Sequence, residues 1–200
     1  MDKKTHINYT PIVSGIIKQA LKIERVEEYL KRLATHHKDT YAHSVRVGMC
    51  SILFARSSEF NQRDLQDIAV YGVLHDMGKL YVPIEILDKN GPLDTRERDI
   101  MNQHPRQGFL ELSKFGDSLA GLVAVGHHEY KKNSYPRKQR RDDSSVSRIS
   151  EIVALADICD ALVHPRAYKP GMNKSTVERI LREQFTGNPQ LINLALSHIS

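Results

Sequence analysis

Two cysteines occur in 200 residues, Cys50 and Cys159, far apart and without a CxxC pair. A disulfide framework is therefore not indicated, and a reducing compartment, the cytoplasm, is the expected setting. Tryptophan is absent and aromatics make up 6% of the chain, so the core must rest on Leu, Ile, Val and Ala. No apolar run approaches the roughly 18 residues of a membrane-spanning helix. The stretch from Ile12 to Ile17 is too short for a signal-peptide core and is interrupted by Ser14 and Gly15. Basic repeats interleaved with aromatics are also missing, so nucleic acid is not an expected partner. The formal charge of +5 favours anionic ligands through steering.

What the chain has in abundance is helical periodicity. Ile16, Ile17, Ala20, Leu21, Ile23, Val26, Leu30 and Leu33 recur at three or four residues, as do Val45, Met49, Ile52, Leu53 and Ala55, and then Leu65, Ile68, Ala69 and Leu74. No period-2 strand stands out, and the fold class predicted is all-α. Pro83 and Asn90-Gly91-Pro92 mark a loop. Asp94 and Glu97 form a capping-box signal for a helix from Thr95 to about Gln103, and Asp117 can cap a helix through Val125. Residues 131–143, KKNSYPRKQRRDD, read as an exposed loop with six basic residues. Helices are predicted again over Val146–Val163, Thr176–Phe185 and Pro189–Ile199. The length suits one domain behind a small N-terminal extension, residues 1–35, that packs on the bundle or forms a dimer contact.

Of ten histidines, five fall in short segments with a carboxylate, a Gly or another His: DTYAHS (Asp39 to Ser44), HDMGK (His75 to Lys79), QHP (Gln103 to Pro105) and GHHE (Gly126 to Glu129). A fifth segment, ALADICDAL (Ala154 to Leu162), adds Asp157. Neutral imidazole and carboxylate suit Fe, Mn, Co, Ni or Zn. A mixed His/Asp set points to a catalytic site with open positions rather than a thiolate structural zinc site. Asp76 can bridge two metals with its two oxygens, and metals roughly 3.5–4 Å apart can activate a water and hold a phosphoryl oxygen together. His6, His36, His37, His164 and His198 are read as core or surface residues.

The order H…HD…H…HH…D resembles the HD superfamily of metal-dependent phosphohydrolases. More narrowly, LHDMGKLYVPIEILDKNGPLDTRERDIMNQHPRQG (Leu74 to Gly108) resembles the HD-GYP subfamily, in its Pro83…Ile86-Leu87…Lys89…Gly91-Pro92-Leu93…Met101…His104-Pro105…Gly108 pattern. The likeness runs from about Asp39 to Tyr168 and more loosely to the C-terminal helices, but not over residues 1–35, and the HD-GYP-like domain is taken as residues 36–200. It implies an HD-domain helical bundle, a two- or three-metal centre, and cytoplasmic hydrolysis of the bacterial messenger cyclic di-GMP. By resemblance, His43, His75, Asp76 and Asp157 hold the first metal, Asp76 bridges, and His104, His127 and His128 hold the second. Asp39 stands where three-metal relatives carry Glu, as the place for an extra ligand. Lys79 resembles a lysine that holds substrate phosphate, and Arg166 and Lys169 match a phosphate-contacting pair. The loop that gives the subfamily its name reads Ser134-Tyr135-Pro136, one residue short and without the usual Trp and Gly; Tyr135 remains as a base-stacking group.

The expected function is thus a phosphodiesterase with two divalent transition-metal ions, Fe or Mn first and Ni, Co or Zn as alternatives, and with Asp76 and Lys79 as catalytic residues. Two alternatives remain open. One keeps the metals and takes another cyclic dinucleotide, a nucleotide or another phosphoester. The other is a non-catalytic ligand sensor or interaction module. Expected partners are the small-molecule substrate and a homodimer mate or signalling protein, with no membrane.

Overall fold

Among the described residues, six helix starts carry a side chain that accepts from the backbone, which satisfies donors a helix leaves unpaired. Thr10 caps α1 (Pro11–Ala20), with Pro11 in its first turn. The His37 ring accepts from Thr40 N–H at the head of α3 (Lys38–Arg56), just after α2 (Glu24–His36). Ser144 caps α9 (Ser145–Val163), Asn173 caps α10 (Lys174–Gln184), and Asn188 caps α11 (Pro189–Ser197). Between them lie α4 (Asp64–Leu74), a 3-10 turn (Met77–Tyr81), α5 (Ile84–Leu87), α6 (Thr95–Met101), α7 (His104–Lys114) and α8 (Ser118–Gly126). The computed structural model describes residues 5–58, 60–114, 116–136, 144–164 and 171–200.

The architecture is an all-α bundle. Among the described residues the only β pairings are two isolated bridges, Ile7 with Ile199 and Lys131 with Phe185. Every residue of α9 from Ile152 to Asp160 is buried, as is every residue of α3 from Cys50 to Ala55. Helices buried on all sides belong at the centre of a bundle. Around this pair, α1, α2 and α4 pack on α3, while α8, α10 and α11 pack on α9. Where α3 crosses α4 the backbones nearly touch: a Cβ on Gly72 would lie 2.9 Å from Gly48 Cα. That approach draws His43 of α3 toward His75 at the end of α4. No described helix is long and apolar enough to cross a membrane.

The capping box forms as expected, with Asp94 accepting from Glu97 N–H and Glu97 accepting from Asp94 N–H. Its helix ends at Met101 rather than Gln103, because a new helix starts at His104 with Pro105 in its first turn. Asp117 stands at the N-cap of α8 but makes no cap bond with its side chain; its carboxylate lies 2.8 Å from Arg25 on α2 instead.

Candidate metal centre

Each site residue sits on a helix or at its end. His43 comes from α3 and Asp157 from α9, the two central helices. His75 and Asp76 follow α4, His104 opens α7, and His127 and His128 follow α8. All seven are buried. Their donor atoms form three overlapping groups: His43, His75 and Asp157; His75, Asp76 and His127; and His104, His127 and His128. Asp76 lies between them. Its Oδ2 is 3.3 Å from His75 Nε2 and 3.6 Å from His43 Nε2, while its Oδ1 is 3.2 Å from His104 Nε2 and 3.9 Å from His127 Nε2. One carboxylate thus faces both halves of the cluster with different oxygens.

The histidine tautomers follow from their neighbours. Nδ1 of His75, His104 and His127 each lies 2.7 Å from the carbonyl oxygen three residues earlier, on Gly72, Met101 and Ala124. A carbonyl only accepts, so Nδ1 carries the proton and Nε2 keeps its lone pair. His43 Nδ1 is 2.6 Å from the Asp160 carboxylate, with the same consequence. Nε2 of His43, His75 and His127, and Nδ1 of His128, are buried with no hydrogen-bond partner among the described residues. Lone pairs left unsatisfied in a dry interior are costly. Five imidazoles around two carboxylates are the donor set that divalent transition metals take, so the residues present fit such ions.

The local charges suit the same role. Burial alone would raise the Asp76 carboxyl, but Lys79 and the rings of His75 and His104 outweigh burial and hold it well below the usual carboxylate range. For Asp157, burial is outweighed by Lys131 and His43, with the same result. Burial lowers His104, His127 and His128, which keeps them neutral and able to ligate. His43 is raised instead, because the Asp157 and Asp160 carboxylates beside its two ring nitrogens outweigh burial.

The remaining expected residues divide. Lys79 Nζ is 2.5 Å from Asp76 Oδ2. The Tyr135 ring stacks on His128, with centroids 4.4 Å apart and planes at 19°, and meets the His104 ring edge-on. Asp39 is exposed in the first turn of α3 and belongs to none of the ligand groups among the described residues. Arg166, Lys169 and the basic residues 137–143 lie outside the described residues.

Two residues went unassigned from sequence. Asp160 is buried, holds His43 Nδ1, accepts two bonds from the Arg46 guanidinium at 2.7 and 3.1 Å, and lies 2.8 Å from His164 Nδ1. The available signal was spacing: Asp157 and Asp160 share one face of α9, and His43 and Arg46 one face of α3, each at i, i+3. Carboxylates behind metal-binding histidines typically contribute about 10–100-fold in affinity. Asp160→Ala is therefore expected to weaken metal binding by about that factor, read by titrating apoprotein with Co(II) and following its visible absorption. Asp160→Asn, whose amide oxygen still accepts from His43 Nδ1, is expected to recover part of the loss. Unchanged affinity in a folded Asp160→Ala would leave Asp160 a packing role only. The second unassigned residue, Lys131, has its ammonium 2.8 Å from Asp157 Oδ2.

Comparison with known proteins places this arrangement in context. The family model described as "HD domain" matches residues 40–162. The "Cyclic di-GMP phosphodiesterase" of Thermotoga maritima is 34% identical over 163 residues, which cover 79% of this chain and 43% of that protein. The "3′3′-cGAMP-specific phosphodiesterase 2" of Vibrio cholerae is 30% identical over 181 residues, 88% of this chain and 34% of that protein. The chain thus spans less than half the length of these relatives. Among solved structures, the HD domain of the L. monocytogenes phosphodiesterase PgpH in complex with cyclic-di-AMP superposes with a TM-score of 0.62 at 20% identity, covering 86% of this chain and 92% of that one. With its helical bundle, its His/Asp cluster and a model match over more than half its length, the chain belongs to the HD domain family.

Proposed function

We propose that this chain hydrolyses a cyclic dinucleotide phosphodiester, cyclic di-GMP first among candidates, with two divalent transition-metal ions, iron or manganese, held by His43, His75, Asp76 and Asp157 on one side and His104, His127, His128 and Asp76 on the other. The observation that carries this reading is Asp76, whose two oxygens face separate histidine groups. The name of the Thermotoga relative supports the substrate. A cytoplasmic setting is part of the same reading.

Bound in this cluster, such ions supply Lewis acidity toward a phosphoryl oxygen and lower the pKa of a water. The chain's own groups do the rest. Asp76 and Asp157, held ionised, keep the donor set anionic. Lys79, beside Asp76, donates to a non-bridging phosphate oxygen and offsets charge that develops there. Tyr135, stacked on His128, shields that edge of the cluster from water and offers its ring to a base. Residues 1–35 we read as an extension supporting the domain at 36–200: Arg32 of α2 pairs with buried Glu111 of α7 at 2.7 Å, and Glu111 also accepts from Tyr81 at the end of the 3-10 turn.

The test is chromatography of products from metal-loaded protein incubated with cyclic di-GMP, 3′3′-cGAMP or cyclic di-AMP. Turnover of cyclic di-GMP is expected, and Lys79→Ala is expected to lower it about 100-fold with metal content near that of the parent. Preference for 3′3′-cGAMP would favour a second reading, to which the name of the Vibrio relative points. Binding of a dinucleotide without cleavage would make the chain a sensor. A metal-replete protein that neither binds nor cleaves any of the three defeats the reading, and Lys79→Ala that empties the metals removes the role given to Lys79.

A further inference from the structure

The chain leaves α8 through His127 and His128, and its next residues are tied down. Thr186 N–H donates to Tyr130 O at 3.0 Å and Lys132 N–H donates to Gln184 O at 2.8 Å, so Lys131 is bridged to Phe185 just beyond α10. The Tyr130 and Phe185 rings, both buried, stack with centroids 6.5 Å apart. The stem of the short Ser134-Tyr135-Pro136 loop is thereby fixed to the bundle, and from it Lys131 reaches into the cluster.

There the ammonium lies 2.8 Å from Asp157 Oδ2, while Asp157 Oδ1 lies 3.2 Å from His43 Nε2. The carboxylate turns one oxygen to the histidines and the other to the lysine. Lys79 holds Asp76 Oδ2, the oxygen that faces His43 and His75. Two lysines therefore flank the same side of the cluster. The side chains of Lys131 and Lys79 remain 24% and 17% exposed, so neither is sealed off from solvent. Two ammonium groups already balance the two carboxylates. Any cation added to the donor set leaves net positive charge, which an anion entering from solvent would neutralise. An ammonium has three donors, and Asp157 occupies one.

We propose that Lys131 is a second phosphate-binding cation of this site, acting beside Lys79 on the side formed by His43, His75 and Asp157. The ligand class is a phosphate mono- or diester oxygen. This rests on reading the cluster as a phosphoester site, but it concerns binding and does not require turnover.

The test uses metal-loaded full chain, inorganic phosphate as the calorimetric probe, and elemental analysis of each variant. Lys131→Met is expected to keep its metal and bind phosphate about tenfold more weakly at low salt, the size of one charged hydrogen bond, with the gap narrowing at high salt. Lys131→Arg is expected to restore most of the affinity. Lys132→Met removes the same charge from the exposed neighbour and is expected to stay within about twofold of the parent, as surface charges do. Unchanged phosphate affinity in metal-replete Lys131→Met overturns the proposal. So does loss of metal with normal phosphate affinity in the sites still loaded, which would make Lys131 a support for Asp157 alone. A parent protein that binds no phosphate when loaded overturns it too. If phosphate binding depends on Lys131 while none of the three dinucleotides is cleaved, the inference stands and the hydrolase reading falls. If the dinucleotides are cleaved while Lys131→Met behaves as the parent in both assays, the reverse holds.

Discussion

Asp76→Ala is expected to lose more metal than either His43→Ala or His104→Ala, and to lower phosphodiester hydrolysis by at least about 1,000-fold. The reason is geometric. His43 and His104 each stand on one side of the cluster, whereas Asp76 presents Oδ2 to His43 and His75 and Oδ1 to His104 and His127. Removing it takes a ligand from both sides and also the carboxylate that pairs with Lys79. The ammonium, half-buried, then sits among imidazoles with its countercharge gone and opposes any incoming cation. Elemental analysis of the three variants, purified without chelator, checks the ranking, and product chromatography checks the rate. Metal content in Asp76→Ala equal to that in His104→Ala would show that the carboxylate serves one ion only.

Gly78→Ala is expected to damage stability and site together. A Cβ at residue 78 would lie 1.8 Å from His104 O and 2.5 Å from Gly108 N, both backbone atoms that no side-chain rotation can move aside. The 3-10 turn carrying Lys79 lies directly against the first turn of α7, and His104 opens that helix. Forcing the two apart shifts Asp76 and Lys79 relative to His104 and strains the turn. Overpacking of this kind costs about 3 kcal/mol at the upper end of its usual range, a fall in Tm of roughly 6–12 °C for a chain of this size. Thermal melting of apoprotein reads the first effect, and metal titration reads the second as weaker binding. A melting temperature within about 2 °C of the parent would mean that the turn can move away at little cost.

Much of this was legible in the residues. The three-and-four spacing of Leu, Ile, Val and Ala indicates helices, because that period gathers apolar side chains on one helical face, but it also runs on through Leu21 and Ile23, where α1 has ended and α2 has not begun. The start of α6 was legible from Asp94 and Glu97 alone, since a capping box is a local contact within four residues. The seven metal-site candidates were legible as residue types in an order, by resemblance to a family. Asp117 marks the head of α8 as its local signal indicates, but its carboxylate pairs with Arg25, distant in sequence, and makes no cap bond.

What the tertiary structure decided is everything that joins one segment to another. No spacing shows that Asp76 turns its oxygens to different histidines, that Asp160 on α9 sets the tautomer of His43 on α3 across 117 residues, or that Lys131 comes down on Asp157 because its backbone is tied to Phe185. Nor does spacing place Asp39, one helical turn before His43, in solvent and outside the ligand groups. The period of a helix determines which residues share a face, and that much belongs to the sequence by itself. Which faces meet depends on close approaches such as Gly48 on Gly72 and Gly78 on His104, and these exist only once the helices have packed.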